Sequence, residues 1–346
     1  MFVFVLLLIL ILVAGFSFIE NEKPATRIVV YASVVLVLVL MAGFRPVGID
    51  KDSLQYYGYF LYGVNDYVEP SFTLISNIAE VLFSDVRGVF LIYALLAIPL
   101  KCFAFTKLSN EFFLLLVVYM SNFYILHDLT QIRIGVSFAF IFLGFYHLTK
   151  GDRMKYFFMV LIAALFHYSA IVTLVLLFFR NKELKTWMLI ILWLLPIGTL
   201  AYGMLNIDII SLLPIDYLQE RLEVYESLRD KGLAGDEKLN LLNAAIVLKL
   251  MVYYFLLWKY NIIKEKCSYL PLALQSFAIS YLCLGLFSFL AVLGARMSEI
   301  FCFVEILMIP LIIHAFEPKW VGRLFVLIYA VGIFLINVMY AGLLRF

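Results

Sequence analysis

Charged side chains are scarce in this chain. They make up 14% of its 346 residues, whereas hydrophobic residues make up 65%. Soluble domains carry about 25% charged and about 45–50% apolar residues. Because a water-soluble core cannot absorb such an excess of apolar residues, the composition excludes an ordinary soluble domain. It predicts an all-α, polytopic membrane protein.

Several chemical signatures are also missing. The four cysteines are dispersed and form no CxxC pair, so we predict neither a disulfide nor a metal role for them. The chain has no basic tract, which argues against a nucleic-acid partner. It contains no GxSxG, SxxK or Walker motif, so serine-hydrolase and ATPase chemistry find no support. His127 and His167 lack an HxxH or HExxH companion, and we predict no metal and no cofactor.

Apolar runs bounded by charge, Pro or Gly predict about ten full transmembrane helices, each needing about 20 residues. The runs are 1–19, 27–44, 87–106, 112–127, 131–149, 186–204, 243–261, 269–291, 297–316 and 321–343. Two further segments, 70–84 and 155–180, fit a full crossing badly, and we predict that both are short or re-entrant. Residues 1–346 then form a single transmembrane domain.

Lysine and arginine in the short loops set the orientation of such a chain. The loops KGDRMK (150–155) and RNKELK (180–185) both read as cytoplasmic, which favours a re-entrant hairpin with its tip near His167. The inner loops then hold most of the basic residues, Lys101 among them, the outer segments hold most of the acids, and both termini face outward. The alternative is that 155–180 crosses once and the C-terminal half is inverted. The Lys-rich KYNIIKEK loop argues against it.

Two outer loops carry most of the polar sequence. The loop 45–69 is rich in tyrosines, which we interpret mainly as interface residues: Tyr56, Tyr57, Tyr59, Tyr62 and Tyr67. In the loop 205–240, apolar residues recur at helical spacing on a charged background. This pattern predicts an amphipathic helix at the membrane surface or over a cavity.

Polar residues at the predicted outer face are the best functional leads, because an ionisable residue within a span costs roughly 2.5–3.5 kcal/mol on insertion scales. Three arginines near one membrane level predict an anion site, since the guanidinium fork binds phosphate oxygens in pairs. The alternative is that each arginine anchors at the headgroups or pairs with an acid. The DKD at 50–52 is similar to the metal-binding DxD of nucleotide-sugar enzymes, but its spacing is common. The outer polar residues are Arg45, Asp50, Glu69, His127, Asp128, Gln131, Arg133 and Arg296, and His167 approaches from the hairpin tip.

Three stretches resemble the EpsG-like branch of the Wzy polysaccharide polymerases. RPVGIDKDSLQYYGYF followed by EPSFTLIS is similar to that family's R-x-x-G-x-D, Tyr-rich and E-P-x-F run. LTQIRIG and the later LFHYSA are similar to its Q-x-R-x-G span and L-F-H-x-S-A stretch. ARMSEIF is similar to a late arginine at the start of a span. The likeness covers residues 40–180 well and the rest by hydropathy.

The resemblance implies a membrane-embedded glycosyltransferase of the GT-C type in the bacterial inner membrane, with its active site facing the periplasm or exterior. Such an enzyme transfers a growing glycan from undecaprenyl pyrophosphate to the non-reducing end of a new lipid-linked repeat unit. Its partners are that lipid-linked oligosaccharide, the bilayer, and the chain-length regulator and flippase of the same pathway. Two rival hypotheses are another GT-C-like transferase or ligase, and a glycan transporter or flippase.

For this reaction we expect Arg133 and Arg296 to hold the pyrophosphate, where preorganised donors stabilise the leaving group. Arg45 either joins them or holds Asp50. The candidate bases are Asp50, Glu69 and His167, and Gln131 orients a sugar hydroxyl.

Overall fold

The computed structural model describes residues 1–19, 24–64, 68–205 and 239–345. Within these ranges the chain is helical and contains no β-sheet, so the all-α prediction is confirmed. The α-helices are α1 (Phe2–Ser17), α2 (Pro24–Gly43), α3 (Ser53–Tyr62), α4 (Pro70–Phe83), α5 (Val86–Leu108), α6 (Phe112–Ser121), α7 (Ile132–Thr149), α8 (Arg153–Phe166), α9 (Thr186–Met204), α10 (Ala244–Trp258), α11 (Tyr260–Ile263), α12 (Leu270–Leu286), α13 (Ala291–Cys302), α14 (Glu305–Met308) and α15 (Lys319–Leu335).

Four segments in the described ranges wind more loosely or more tightly than an α-helix. Two are π-helices, π1 (Tyr124–Thr130) and π2 (Ile336–Tyr340), and two are 3₁₀ helices, Tyr168–Phe178 and Ile309–Ala315. Departures from α-helical winding of this kind are frequent at functional sites and at breaks in a span. Here π1 and the first 3₁₀ helix adjoin Gln131 and His167, two of the residues singled out in the sequence.

Five helices in the described residues are long and apolar enough to cross a membrane, which makes this a multi-pass membrane protein. They are Pro24–Gly43, Val86–Leu108, Ile132–Thr149, Thr186–Met204 and Lys319–Tyr340. The count is seven if each of two bent pairs is one broken span: α6 with π1 is bent by 66°, and α13 with the helix over Glu305–Ala315 by 42°. Other predicted spans coincide with shorter apolar helices, α1, α10 and α12, which fall below this length. The amphipathic helix predicted in 205–240 lies almost entirely outside the described residues.

The chain forms two compact units. The first consists of Met1–Asn181, Lys259–Leu270 and Ile306–Phe346, and the second of Lys182–Trp258 and Pro271–Glu305. In the second unit, α9 and α12 approach so closely that a Cβ on Gly285 would lie 2.1 Å from the Thr199 carbonyl oxygen. Only a glycine permits that backbone contact. The first unit holds Arg45, Asp50, Glu69, Gln131, Arg133 and His167, and the second holds Arg296.

The segment 155–180 folds back on itself at His167. The Tyr156 hydroxyl donates a 2.7 Å hydrogen bond to the Thr173 carbonyl oxygen, and Asn181 Nδ2 donates one of 3.1 Å to Thr149 O. Residues on either side of His167 therefore lie side by side, and the two basic loops lie at the same end. A straight helix through these residues would rise about 1.5 Å per residue and separate them widely. The predicted fold-back is thus present in the structure.

The core beside this hairpin is built by α3, α4, α5 and α7. Its buried residues are Tyr56, Phe72, Ile75, Ala79, Val86, Val89, Phe90, Tyr93, Ala97, Ile132 and Val136. Tyr56 and Phe72 stack with ring centroids 5.6 Å apart, and Phe72 lies 6.1 Å from Tyr93. Aromatic pairs at such distances stabilise a core beyond the area they bury. Because Ile132 and Val136 of α7 belong to the same core, the N-terminal ends of α4 and α7 are held together.

The chain near its C-terminus returns to the loop that precedes α3. Asp50 and Leu344 form an isolated antiparallel bridge, and the Arg345 amide donates a 2.7 Å hydrogen bond to the Ile49 carbonyl oxygen. The loop between α2 and α3 is therefore held by backbone contacts from beyond π2.

Candidate active site

Glu69 is the residue immediately before α4. Pro70 occupies the first helical position, where a missing N–H costs nothing and the fixed φ favours the helix. A residue before proline prefers an extended conformation, and Glu69 has φ −60° and ψ 139°. The carboxylate turns inward, because Glu69 is only 2% exposed. A carboxylate this buried needs partners for both oxygens.

His167 supplies the first partner. It sits between α8 and the 3₁₀ helix in an extended conformation, and its Nδ1 lies 2.9 Å from Glu69 Oε1. The Tyr168 amide lies 3.4 Å from the same oxygen. The His167 side chain is 23% exposed, whereas that of Glu69 is 3% exposed. The histidine therefore stands between the buried carboxylate and the more accessible side of the site.

Arg133 supplies the second partner. It lies in the first turn of α7, and its Nη1 donates to Glu69 Oε2. Its side chain is 21% exposed, and Tyr56, a buried residue of α3, lies against it. One carboxylate thus joins elements that are far apart in the sequence. We call Glu69, Arg133 and His167 the Glu69 centre.

The protonation of Glu69 follows from these contacts. Burial by itself raises the pKa of the Glu69 carboxyl, but the hydrogen bond from His167 and the charge of Arg133 outweigh it, and the pKa lies below its ordinary value. An ionised carboxylate only accepts hydrogen bonds. His167 Nδ1 therefore carries a proton, and the neutral imidazole has its lone pair on Nε2. Carboxylate–histidine pairs in hydrolases orient a general base in the same way.

Arg45 and Asp50 form a separate buried pair. Arg45 Nε lies 3.0 Å from Asp50 Oδ2, and neither side chain has any exposed surface. The guanidinium carbon lies 3.8 Å from the centre of the Phe90 ring, and Arg45 Nη1 donates to the Ala42 carbonyl oxygen. Asp50 Oδ1 accepts backbone N–H groups at the start of α3. Two roles were expected for Arg45, and in the structure Arg45 pairs with Asp50. Both oxygens of Asp50 are engaged within the loop.

Gln131 ends π1 and precedes α7. Its amide N–H bonds to the Leu126 carbonyl oxygen at 2.8 Å, the five-residue spacing of a π-helix. The half-buried side chain lies two residues before Arg133, and among the residues that the structure describes its Oε1 has no hydrogen-bond partner. Arg296 lies in α13 of the second unit, where its side chain is exposed. The sequence-predicted residues therefore divide into the Glu69 centre with Gln131, the Arg45–Asp50 pair, and Arg296.

A buried ion pair that the sequence did not predict lies between α5 and π1. Lys101 Nζ lies 2.7 and 2.8 Å from the two oxygens of Asp128, and the Tyr119 hydroxyl donates to Asp128 Oδ2 at 2.5 Å. The assignment of Lys101 to an inner loop is wrong, because Lys101 is an interior residue of α5 and is 1% exposed. The sequence did contain a signal for this pair: a base, Lys101, and an acid, Asp128, each lie in or beside an apolar run, and buried charges need partners.

The second unit contains a comparable pair. Lys249 Nζ, on α10, lies 2.7 Å from Glu305 Oε2, and Cys302 Sγ lies 3.4 Å from the same oxygen. Ionisable residues among apolar helices are costly unless paired in this way. In the described ranges, no three His, Cys, Asp or Glu side chains gather closely enough to hold a metal ion.

Comparison with known proteins adds evidence that is independent of this geometry. Residues 28–344 match the family described as the EpsG family. The chain is similar to the amylovoran biosynthesis protein AmsC of Erwinia amylovora, with 23% identity over 293 residues, which cover 78% of this chain and 75% of the relative. No solved structure matches the chain.

Proposed function

The chain belongs to the EpsG family, and we propose that it is a membrane glycosyltransferase that polymerises lipid-linked oligosaccharide repeat units. The observation that carries the proposal is the Glu69 centre, in which a buried carboxylate holds both a histidine and an arginine. The similarity to AmsC, an amylovoran biosynthesis protein, supports a role in polysaccharide synthesis.

The reaction is a displacement at the anomeric carbon of the donor. The oxygen of an acceptor hydroxyl forms a bond to that carbon, and the bond from the carbon to undecaprenyl pyrophosphate breaks. The growing glycan thereby moves to the non-reducing end of the new repeat unit, and the electron pair leaves with the pyrophosphate. Holding both lipid-linked substrates in place supplies much of the rate by itself.

His167 is the base in this proposal. Its Nε2 accepts the proton of the attacking hydroxyl, while Glu69 on Nδ1 orients the ring and stabilises the imidazolium that forms. His is the side chain whose unperturbed pKa best suits this task at neutral pH. Glu69, which the sequence also offered as a base, acts through His167, because its own oxygens are already engaged.

The other predicted residues take binding and positioning roles. Gln131 orients a sugar hydroxyl beside Arg133. Arg296 contacts the pyrophosphate of the donor, since a guanidinium stabilises a developing phosphate charge. Asp50 with Arg45 shapes the loop that leads into α3 and then to Glu69, and in this proposal Asp50 is a positioning residue.

The setting of the reaction follows from the charge pattern of the loops. We place the protein in the bacterial inner membrane with the Glu69 centre on the periplasmic or outer side, both termini outward, and about ten crossings of the GT-C type in which the shorter apolar helices take part. Basic residues concentrate in the loops assigned to the inner side. A chain-length regulator and a flippase of the same pathway are its partners.

One experiment tests the function directly. Purified full-length protein in lipid nanodiscs is incubated with one synthetic undecaprenyl-pyrophosphate-linked repeat unit, and the products are resolved as a ladder. We expect a ladder from the wild type and from His147→Asn, a matched histidine control on α7, and none from His167→Asn or Arg296→Ala. A single transfer without a ladder would indicate a ligase, and movement of the lipid across a bilayer without product would indicate a flippase.

A further inference from the structure

The Glu69 centre has little spare positive charge. Its one carboxylate is matched by the one guanidinium of Arg133, and both carboxylate oxygens are occupied. Arg133 cannot turn away to a second anion without leaving a nearly fully buried carboxylate unpaired, which is strongly unfavourable. A pyrophosphate diester carries more than one negative charge and would meet the Glu69 carboxylate at close range. The centre therefore suits a neutral ligand better than an anion.

Polar atoms that the protein does not satisfy lie on Arg133 itself and on residues two positions from Arg133 and from His167. In the described part of the chain, Gln131 Oε1, Arg133 Nε and Ser169 Oγ are buried and have no hydrogen-bond partner. They comprise an acceptor, a donor and a hydroxyl that does both. Buried polar atoms normally have partners, and exceptions call for a ligand or water. A sugar hydroxyl both donates and accepts, so a sugar ring matches this set.

An exposed aromatic residue adjoins the centre in the chain. Tyr168 follows His167 directly, its amide contacts Glu69, and the residue is 53% exposed. Pockets for small polar ligands combine apolar or aromatic surface with a few polar groups that fix orientation. Tyr168 beside the polar groups of the Glu69 centre supplies this combination.

We infer that the Glu69 centre is the subsite for the neutral sugar that carries the attacking hydroxyl, and that it excludes sugars bearing a carboxylate. The inference rests on the proposed polymerase function and deepens it, because it separates the acceptor sugar from the pyrophosphate. It assigns Ser169 and Tyr168 as binding residues and gives Arg133 an acceptor-side role. The discriminating element is Glu69, whose fixed negative charge repels a uronate.

Saturation-transfer NMR on the full-length protein in nanodiscs tests the subsite. The probes are methyl glucoside, methyl galactoside, methyl mannoside and methyl glucuronide, with inorganic pyrophosphate as competitor. We expect transfer to at least one neutral glycoside, none to the glucuronide, and no displacement by pyrophosphate. Ser169→Ala should weaken the binding of the neutral glycoside by about five-fold, which corresponds to the loss of one hydrogen bond. Ser280→Ala in the second unit should leave this affinity unchanged.

The variant Glu69→Gln gives a readout that a merely structural residue would not change. It keeps the shape of the side chain but removes the charge, so we expect the glucuronide to gain binding relative to the neutral glycoside. Equal signals from both sugars on the wild type, displacement by pyrophosphate, or no neutral binding at all would overturn the inference. The ladder assay on the same preparation separates the two proposals: a ladder without glycoside binding removes only the subsite, and glycoside binding without a ladder removes the polymerase.

Discussion

His167 Nδ1 lies 2.9 Å from Glu69 Oε1, although the two residues are 98 positions apart in the chain. The contact exists because α4 starts at Pro70 and the chain folds back at His167. The N-terminal end of α4 therefore meets the C-terminal end of α8. The same carboxylate also holds Arg133. Each partner is therefore sensitive to the others, and several consequences can be measured.

Replacing Arg133 by Gln should destabilise the protein strongly. The change leaves the Glu69 carboxylate buried without its cation, which costs about 3–5 kcal/mol for a buried pair; the partial exposure of Arg133 places the loss at the lower end. The free energy of unfolding in detergent measures it. The double variant with Glu69→Gln should recover most of the loss and still make no ladder. If it is no more stable than the single variant, the pairing is not the cause.

Acid should abolish the contribution of Glu69 to stability only at low pH. The pKa of Glu69 is lowered in the folded protein from its ordinary value of 4.5, so the stabilisation is present above that value and is lost as pH falls through the folded pKa. In a His167→Asn background, which removes the neighbouring titratable ring, we expect the difference in melting temperature between the proteins with Glu69 and with Glu69→Gln to stay constant down to about pH 5 and to change below it. A difference that changes between neutral pH and that point contradicts the assignment.

Gly135 should not tolerate a side chain. A Cβ there would lie 2.7 Å from the His127 carbonyl oxygen and 2.9 Å from Asp128 Oδ1, which belong to π1. Overpacking of this kind costs about 1–3 kcal/mol. We expect Gly135→Ala to lower the melting temperature, whereas Gly332→Ala, on α15 with open space around it, should be neutral or slightly stabilising. Equal effects of the two changes would show that the close approach is unimportant.

Removing one partner of the buried Lys101–Asp128 pair should destabilise the protein, and removing both charges should restore most of its stability. Lys101→Met leaves Asp128 uncompensated and should cost about 3–5 kcal/mol in the free energy of unfolding. Adding Asp128→Asn should restore most of it, because no buried charge remains. Lys107→Met, at the exposed end of the same helix, serves as the control and should change stability by less than about 0.5 kcal/mol.

Much of the architecture could be read from hydropathy and charge. Apolar runs predicted helices throughout, and basic loops on both sides of 155–180 predicted that the chain reverses near His167, as the hydrogen bond from Tyr156 to Thr173 shows. The expected number of crossings is larger than the five to seven helices of sufficient length in the described residues. The reason is local: the run over 112–127 bends by 66° where π1 begins, and other runs form helices that are shorter than the runs themselves.

The site was predicted as a set of residues, and the structure adds their pairing. Glu69, Arg133 and His167 were each singled out because polar groups are costly beside apolar runs. Their meeting at one carboxylate depends on which helix ends adjoin, and spacing along the chain contains no such information. For the same reason Lys101 was assigned to a loop, although a base in α5 and an acid in π1 satisfy each other in the interior. Arg45 had two open roles, and only the position of Asp50 decided between them.

The bridge between Asp50 and Leu344 joins two residues that are far apart in the sequence. During synthesis, α1 and α2 leave the ribosome long before residues 344 and 345 exist, so this loop must remain without its backbone partners while the intervening helices enter the membrane. Contacts between such distant residues form late, and segments awaiting them are exposed to misassembly. A reporter inserted after Arg345 would stand directly beside this closure, so it reports on the pairing and can also hinder it.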